Sequence, residues 1–201
     1  MVVGFFFKRV IPTVFLYYGA VQLYLVYHLY TGESMIRVPS IPAIDPTETR
    51  KKLVENVLAI YQCRATPQTF DSFTNDVQCE DHSVYLEGLD ALKNGAYFAR
   101  HYAKAETLSL KEHHFQDQFI VELKQKYTMG YLKMNFPSVL YLEVEGKGRD
   151  EKVKTFRDEW YGKTLITPEN TPFAFTGVSA QFFRRIHGRL LNVFNFAPPK
   201  E

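Results

Sequence analysis

In a chain of 201 residues, four short stretches gather side chains able to move a proton. Asp81-His82 sits inside CEDHSVYLEGLDALKNGAYFARHY, at the end of a short apolar run and ahead of Gly88. An acid beside an imidazole is a common proton-handling pair. His101-Tyr102 follows in a helical pattern, His113-His114 lies in an extended one, and Asp158 stands two positions before Trp160 in the last such run. Spacing limits what these can do. On a strand successive side chains leave opposite faces, so His113 and His114 cannot hold one metal together, whereas Phe156, Asp158 and Trp160 share a face. Asp81 also has a purely structural use, since an aspartate at a turn accepts hydrogen bonds from the backbone amides that follow it. Cys63 and Cys79 have neither C-x-x-C spacing nor histidines at zinc intervals, so they are expected as free thiols, with no metal and no cofactor. With 24 Lys and Arg against 22 Asp and Glu, the net charge of +2 supplies no general field for nucleic acid, and none is expected as a partner.

The elements that must position these groups follow from periodicity. Asp45-Pro46-Thr47 opens a helix, with Thr47 or Asp45 as its cap and Leu53, Val57, Leu58 and Tyr61 at helical spacing. Pro67 ends it. Residues 70–73 read as a short turn or helix, DVQCEDHSVYLEG as two short extended pieces broken at Gly88, and 89–104 as a second helix with Leu89, Leu92, Ala96, Ala99 and Ala103 inward. TLSLKEHHFQ, QFIVELKQKYTM, PSVLYLEVE and KVKTFRDEWYG are then four strands, the second placing Phe119, Val121, Leu123, Gln125 and Tyr127 on one face, with residues 146–151 as a hairpin turn. Helix, short strands, helix and a meander make an α+β order with helices on one face of an antiparallel sheet.

The first helix, the stretch DVQCEDHSVYLEGLDALKNGAYFARHY and the final strand FRDEWYG after a charged hairpin together resemble the nuclear transport factor two-like superfamily over about residues 47–166. That superfamily includes ketosteroid isomerase, scytalone dehydratase and SnoaL-type cyclases. The resemblance implies a cone-like curved sheet around an apolar pocket. If the pocket were catalytic, Asp81 or Asp158 would be its base and Tyr97 or Tyr102 the opposed donor, with His82, Tyr97, His101 and Trp160 as pocket residues. Where many members have Asp-Pro this chain has Asp81-His82, which favours the turn role for Asp81. A fold of this kind does not by itself imply an activity.

Two terminal segments lie outside that domain. Residues 1–32 contain 23 consecutive positions, 10–32, without Asp, Glu, Lys or Arg, about 34 Å of helix at ~1.5 Å per residue. They read as a transmembrane anchor, with a buried helix as the alternative; a cleavable leader fits poorly because bulky Tyr18 stands two before Ala20. Tyr17, Tyr24 and His28 fall on one side of that helix, a stripe that suits contact with partner helices. Residues 33–46, with three prolines in RVPSIPAIDP, form a stiff linker. Residues 167–201 carry an amphipathic helix whose apolar side includes Phe182, Phe183, Ile186 and Leu190 against Arg184, Arg185 and Arg189. Together these lead to a single-pass protein of the mitochondrial inner membrane, a non-catalytic accessory or assembly subunit whose partners are the membrane, its lipid and other subunits. The alternative is a membrane-tethered enzyme or carrier, isomerase- or dehydratase-like, for a small hydrophobic ligand. Lys8 and Arg9 balance Arg37, Arg50, Lys51 and Lys52 across the span, so its orientation stays open.

Overall fold

A computed structural model describes residues 11–194, 196 and 198. Helix α1 covers Ile11–Thr31 and α2 covers Glu48–Tyr61. After a short 3-10 turn at Pro67–Ser72 come β1 (Phe73–Glu80), β2 (Tyr85–Glu87), α3 (Leu89–Tyr102), β3 (Lys104–His114), β4 (Gln118–Met129), β5 (Leu132–Glu145), β6 (Lys152–Trp160) and α4 (Ala174–Phe194). Thr47 caps α2, its hydroxyl accepting from the Arg50 amide at 3.2 Å.

The six strands form one sheet in the order β2-β1-β6-β5-β4-β3. β3 to β6 is an antiparallel meander, as their short connections require. The sheet is mixed, however, and this corrects the fully antiparallel expectation: β1 runs parallel to β6, with Cys79 opposite Phe156. These two strands are far apart in sequence, so no hairpin turn fixes their relative direction. The curved sheet packs α2 and α3 on its inner face, where Leu53, Val57, Phe70, Leu92, Phe119 and Leu140 build the main core. Alternation along β4 works as expected, with Phe119, Val121 and Leu123 inside and Ile120 outside against Phe115 and Val139.

The linker is a strap across that outer face. Met35 N–H donates to Gly162 O at 3.0 Å, Arg37 N–H to the Tyr141 hydroxyl at 2.9 Å, and Ile44 N–H to His114 O at 2.9 Å. The Arg37 guanidinium reaches fully buried Glu159 and lies over the Tyr141 ring. At the end of the strap Arg50, buried in spite of its charge, pairs with Glu151 at 3.0 Å and donates to the carbonyls of Phe115 and Gln116.

The transmembrane expectation for residues 1–32 finds no support: among the described residues no helix is long and apolar enough to cross a membrane. Gln22, His28 and the tyrosines of α1 replace the aliphatic side chains a span requires. Tyr17, Tyr18, Val21, Tyr24 and Leu25 instead meet Ile166, Ala180 and Phe183 of the same chain. Lys8 and Arg9 lie outside the described residues. The amphipathic tail is helical but starts earlier than its pattern suggests, at Ala174. Its midpoint glycine has a steric cause. A Cβ on Gly188 would collide with the Tyr85 carbonyl, so glycine lets α4 close onto β2.

Candidate functional site

The inner face of β6 presents Phe156, Asp158 and Trp160, the face-sharing set read from alternation, into a cavity of about 650 Å³. The last turn of α2 contributes Tyr61, β4 contributes Tyr127, β5 contributes Met134 and Phe136, and one side of α3 contributes Leu92, Ala96 and Ala99. The second half of α4 supplies Leu190, Leu191 and Phe194 to the wall. Nearly all of this surface is hydrocarbon and aromatic, as a site for an apolar molecule requires.

Asp158 is one of two carboxyls that line this cavity. It is 4% exposed, its Oδ2 accepts from the Tyr61 hydroxyl at 3.0 Å, and its Oδ1 is buried with no hydrogen-bond partner. Burial pushes its carboxyl from 3.8 up to about 7, and the charge of Asp81 pushes the same way. Ser138, Tyr61 and Trp160 pull against that shift, without Ser138 or Trp160 closing a bond to Oδ1. Burial likewise raises the phenols of Tyr61 and Tyr127, which stay protonated as donors. It raises the Cys63 thiol to about 11 and Cys79 well above its ordinary value, so neither thiol is a nucleophile near neutral pH.

A carboxyl that titrates near neutrality can give up or accept a proton at little cost. Beside neutral phenols in a mostly apolar site, it has the makings of proton transfer at a carbon next to a carbonyl, with a phenol holding the developing oxyanion. Retention of a hydrogen-bonding ligand would use the same groups.

The other sequence candidates separate from this centre. Asp81 Oδ1 accepts from Ser83 N at 2.6 Å, Ser83 Oγ at 2.8 Å and Val84 N at 2.7 Å, closing the turn between β1 and β2. Its carboxyl borders the cavity, and burial raises its pKa. His82 sits behind the wall, against Trp160 at a ring separation of 5.4 Å, with its Nε2 on Lys163 O at 3.0 Å. Tyr97 packs edge-on against Phe70 in the core. Tyr102 is 56% exposed at the rim, next to His101 and Phe98, so it opposes neither aspartate across the pocket. His113 and His114 do leave opposite faces, held by Glu122 at 2.7 Å and Glu112 at 2.9 Å. Among the described residues no group of His, Cys, Asp and Glu is placed to hold a metal.

The residues named as partner-facing divide. Tyr17 bonds Ser179 of α4, His28 bonds Thr164 O at 2.8 Å, and Tyr24, Phe183 and Ile186 join the cluster between α1 and α4. Phe182 and Leu190 are exposed. Arg184, read as part of a basic face, is buried and pairs with Glu80 at 2.9 Å. Sequence reasoning missed Tyr61 and Tyr127 as site residues. For Tyr127 the signal was present, since it follows Phe119, Val121 and Leu123 on the inner face of β4.

No family model matches this sequence, and no curated protein matches it. Solved structures do. A putative polyketide cyclase from Xanthomonas campestris pv. campestris is 11% identical at a TM-score of 0.44, over 56% of this chain and 92% of that one. An NTF2-like protein of unknown function from Pseudomonas putida is 13% identical at 0.43, over 54% and 82%. A phenazine biosynthesis-related protein from Pseudomonas aeruginosa is 17% identical at 0.41, over 56% and 81%.

Proposed function

We propose that the chain binds a small hydrophobic ligand in the cavity between the sheet, α3 and α4, with Asp158 as the group that handles its polar end. The observation that carries this is a buried carboxyl, Asp158, with an unused oxygen in a mostly apolar chamber whose other acid, Asp81, is spent on its turn. Leaving a buried polar atom unpaired costs about 1–3 kcal/mol, a cost that a ligand hydroxyl, amine or carbonyl would relieve. With Asp158 at about 7, the site could serve a carrier or an isomerase- or dehydratase-like enzyme working by proton transfer. Titrating the full chain with Nile red tests the binding claim. Uptake should be saturable and should be lost in Ala99→Phe, which fills the chamber from α3. Binding that ignores Ala99→Phe would place the dye elsewhere and reject the reading.

A second reading, a non-catalytic accessory subunit of a membrane complex such as one of the mitochondrial inner membrane, draws on a different feature. β3 is a sheet edge of 11 residues with Leu108 and Leu110 exposed, the kind of strand to which a partner strand can add. Recovery of stoichiometric partners in mild detergent would favour it. Loss of those partners in Leu108→Lys, which charges the edge, would locate the contact.

A further inference from the structure

α1 has two different sides. Its inner side holds Tyr17, Tyr18, Val21 and His28 against α4 and the loop before it. Its outer side carries Phe15 at 69%, Leu16 at 76%, Leu23 at 72% and Val26 at 62% exposure. Tyr17, at the edge of the inner side, packs on Phe175 in the first turn of α4, which adds its own exposed apolar side chains, Phe175 at 68% and Phe182 at 58%. An apolar side of this extent is unusual on a chain that meets only water.

Charge decides among possible occupants. Residues 10–32 contain no charged side chain, and no acid occurs between Glu169 and Glu201. Arg185 and Arg189 are both exposed, one and two turns beyond Phe182. A surface of hydrocarbon flanked by Arg189 and by Arg185, whose guanidinium lies over the Tyr85 ring, with no carboxylate on either helix, complements a bilayer whose headgroups are anionic. Because one side of α1 is already docked on its own chain, the helix has only one side left to offer, which suits lying in the headgroup region.

We infer that the outer side of α1 and the first half of α4 rest on an anionic lipid bilayer surface, inserting Phe15, Leu16, Leu23, Val26, Phe175 and Phe182 with Arg185 and Arg189 on the headgroups. This is a contact in the plane of the membrane and does not depend on the cavity being occupied. The test is flotation of the full chain with vesicles of phosphatidylcholine, alone or with phosphatidylglycerol. Binding should require phosphatidylglycerol and weaken about tenfold in Arg185→Gln/Arg189→Gln, a change that leaves the apolar side intact. It should also weaken in Phe15→Ser/Phe182→Ser, which replaces exposed side chains, with far-ultraviolet circular dichroism unchanged in both variants. Absence of flotation overturns the inference, as does flotation indifferent to both variants. A homodimer in sedimentation equilibrium that Phe15→Ser/Phe182→Ser disperses would overturn it too, giving the surface to a second copy of the chain.

Discussion

Replacing Asp158 with asparagine keeps the shape of the side chain and an oxygen for the Tyr61 hydroxyl, and removes the titration. In the folded chain the carboxyl is raised from 3.8 to about 7. Between those values the folded chain therefore holds more protons than the unfolded one, so stability falls as pH rises through that window. The difference of ~3 pH units, at ~1.36 kcal/mol each, comes to about 4 kcal/mol of stability absent by pH 8. Asparagine escapes that loss and gives up ~1 kcal/mol for the weaker bond from Tyr61. Asp158→Asn should thus be more stable than the parent by ~3 kcal/mol at pH 8 and lose this advantage towards pH 4. At ~2–4 °C per kcal/mol for a chain of this size, that is a rise in Tm of roughly 6–12 °C. Thermal unfolding followed by circular dichroism from pH 4 to 8 reads it. A variant that melts below the parent throughout, or at a constant offset from it, would show that the carboxyl is ionised and satisfied in the folded chain, and the reasoning would fail.

Three further outcomes follow from named contacts. His82 is buried neutral, its pKa lowered to about 4 mainly by burial, so its contribution to stability is lost as pH falls from 6.5 to 4; His82→Gln should flatten the acid limb of the melting profile. Arg37→Ala strands buried Glu159, whose carboxyl burial already pushes up, and should cost ~2 kcal/mol in urea unfolding at pH 8 and less near pH 5, where Glu159 can take a proton. An unchanged urea midpoint would mean the strap is not held by that pair. Gly188→Val places a side chain on the Tyr85 carbonyl and should cost ~2 kcal/mol, whereas Arg189→Ala, one position on and exposed, should leave the midpoint in place.

What was legible in the sequence was whatever repeats locally. The alternation of β4 and β6 reveals which residues share a face, and so puts Asp158 and Trp160 together. The turn role of Asp81 followed from its position before Ser83 and Val84. Contacts between distant segments were not legible. The parallel pairing of β1 with β6 leaves no turn signature, and Tyr61 reaches Asp158 from a helix 97 positions earlier in the sequence. The long uncharged run of α1 reads as a membrane span because hydropathy sees one helix at a time, while Tyr17, Tyr18, Tyr24 and His28 serve contacts with α4 and the loop at Thr164. Arg184 likewise reads as surface charge, since nothing near it in sequence announces Glu80.

A carbon-13 NMR titration of the Asp158 side chain, assigned with Asp158→Asn, measures directly whether a carboxyl in this chamber titrates near neutral pH. The midpoint should lie near 7 in the full chain and shift further upward when Nile red fills the chamber and excludes water from the acid. A midpoint in the ordinary aspartate range, about 4, or one that bound dye does not move, would contradict the proposed role of Asp158.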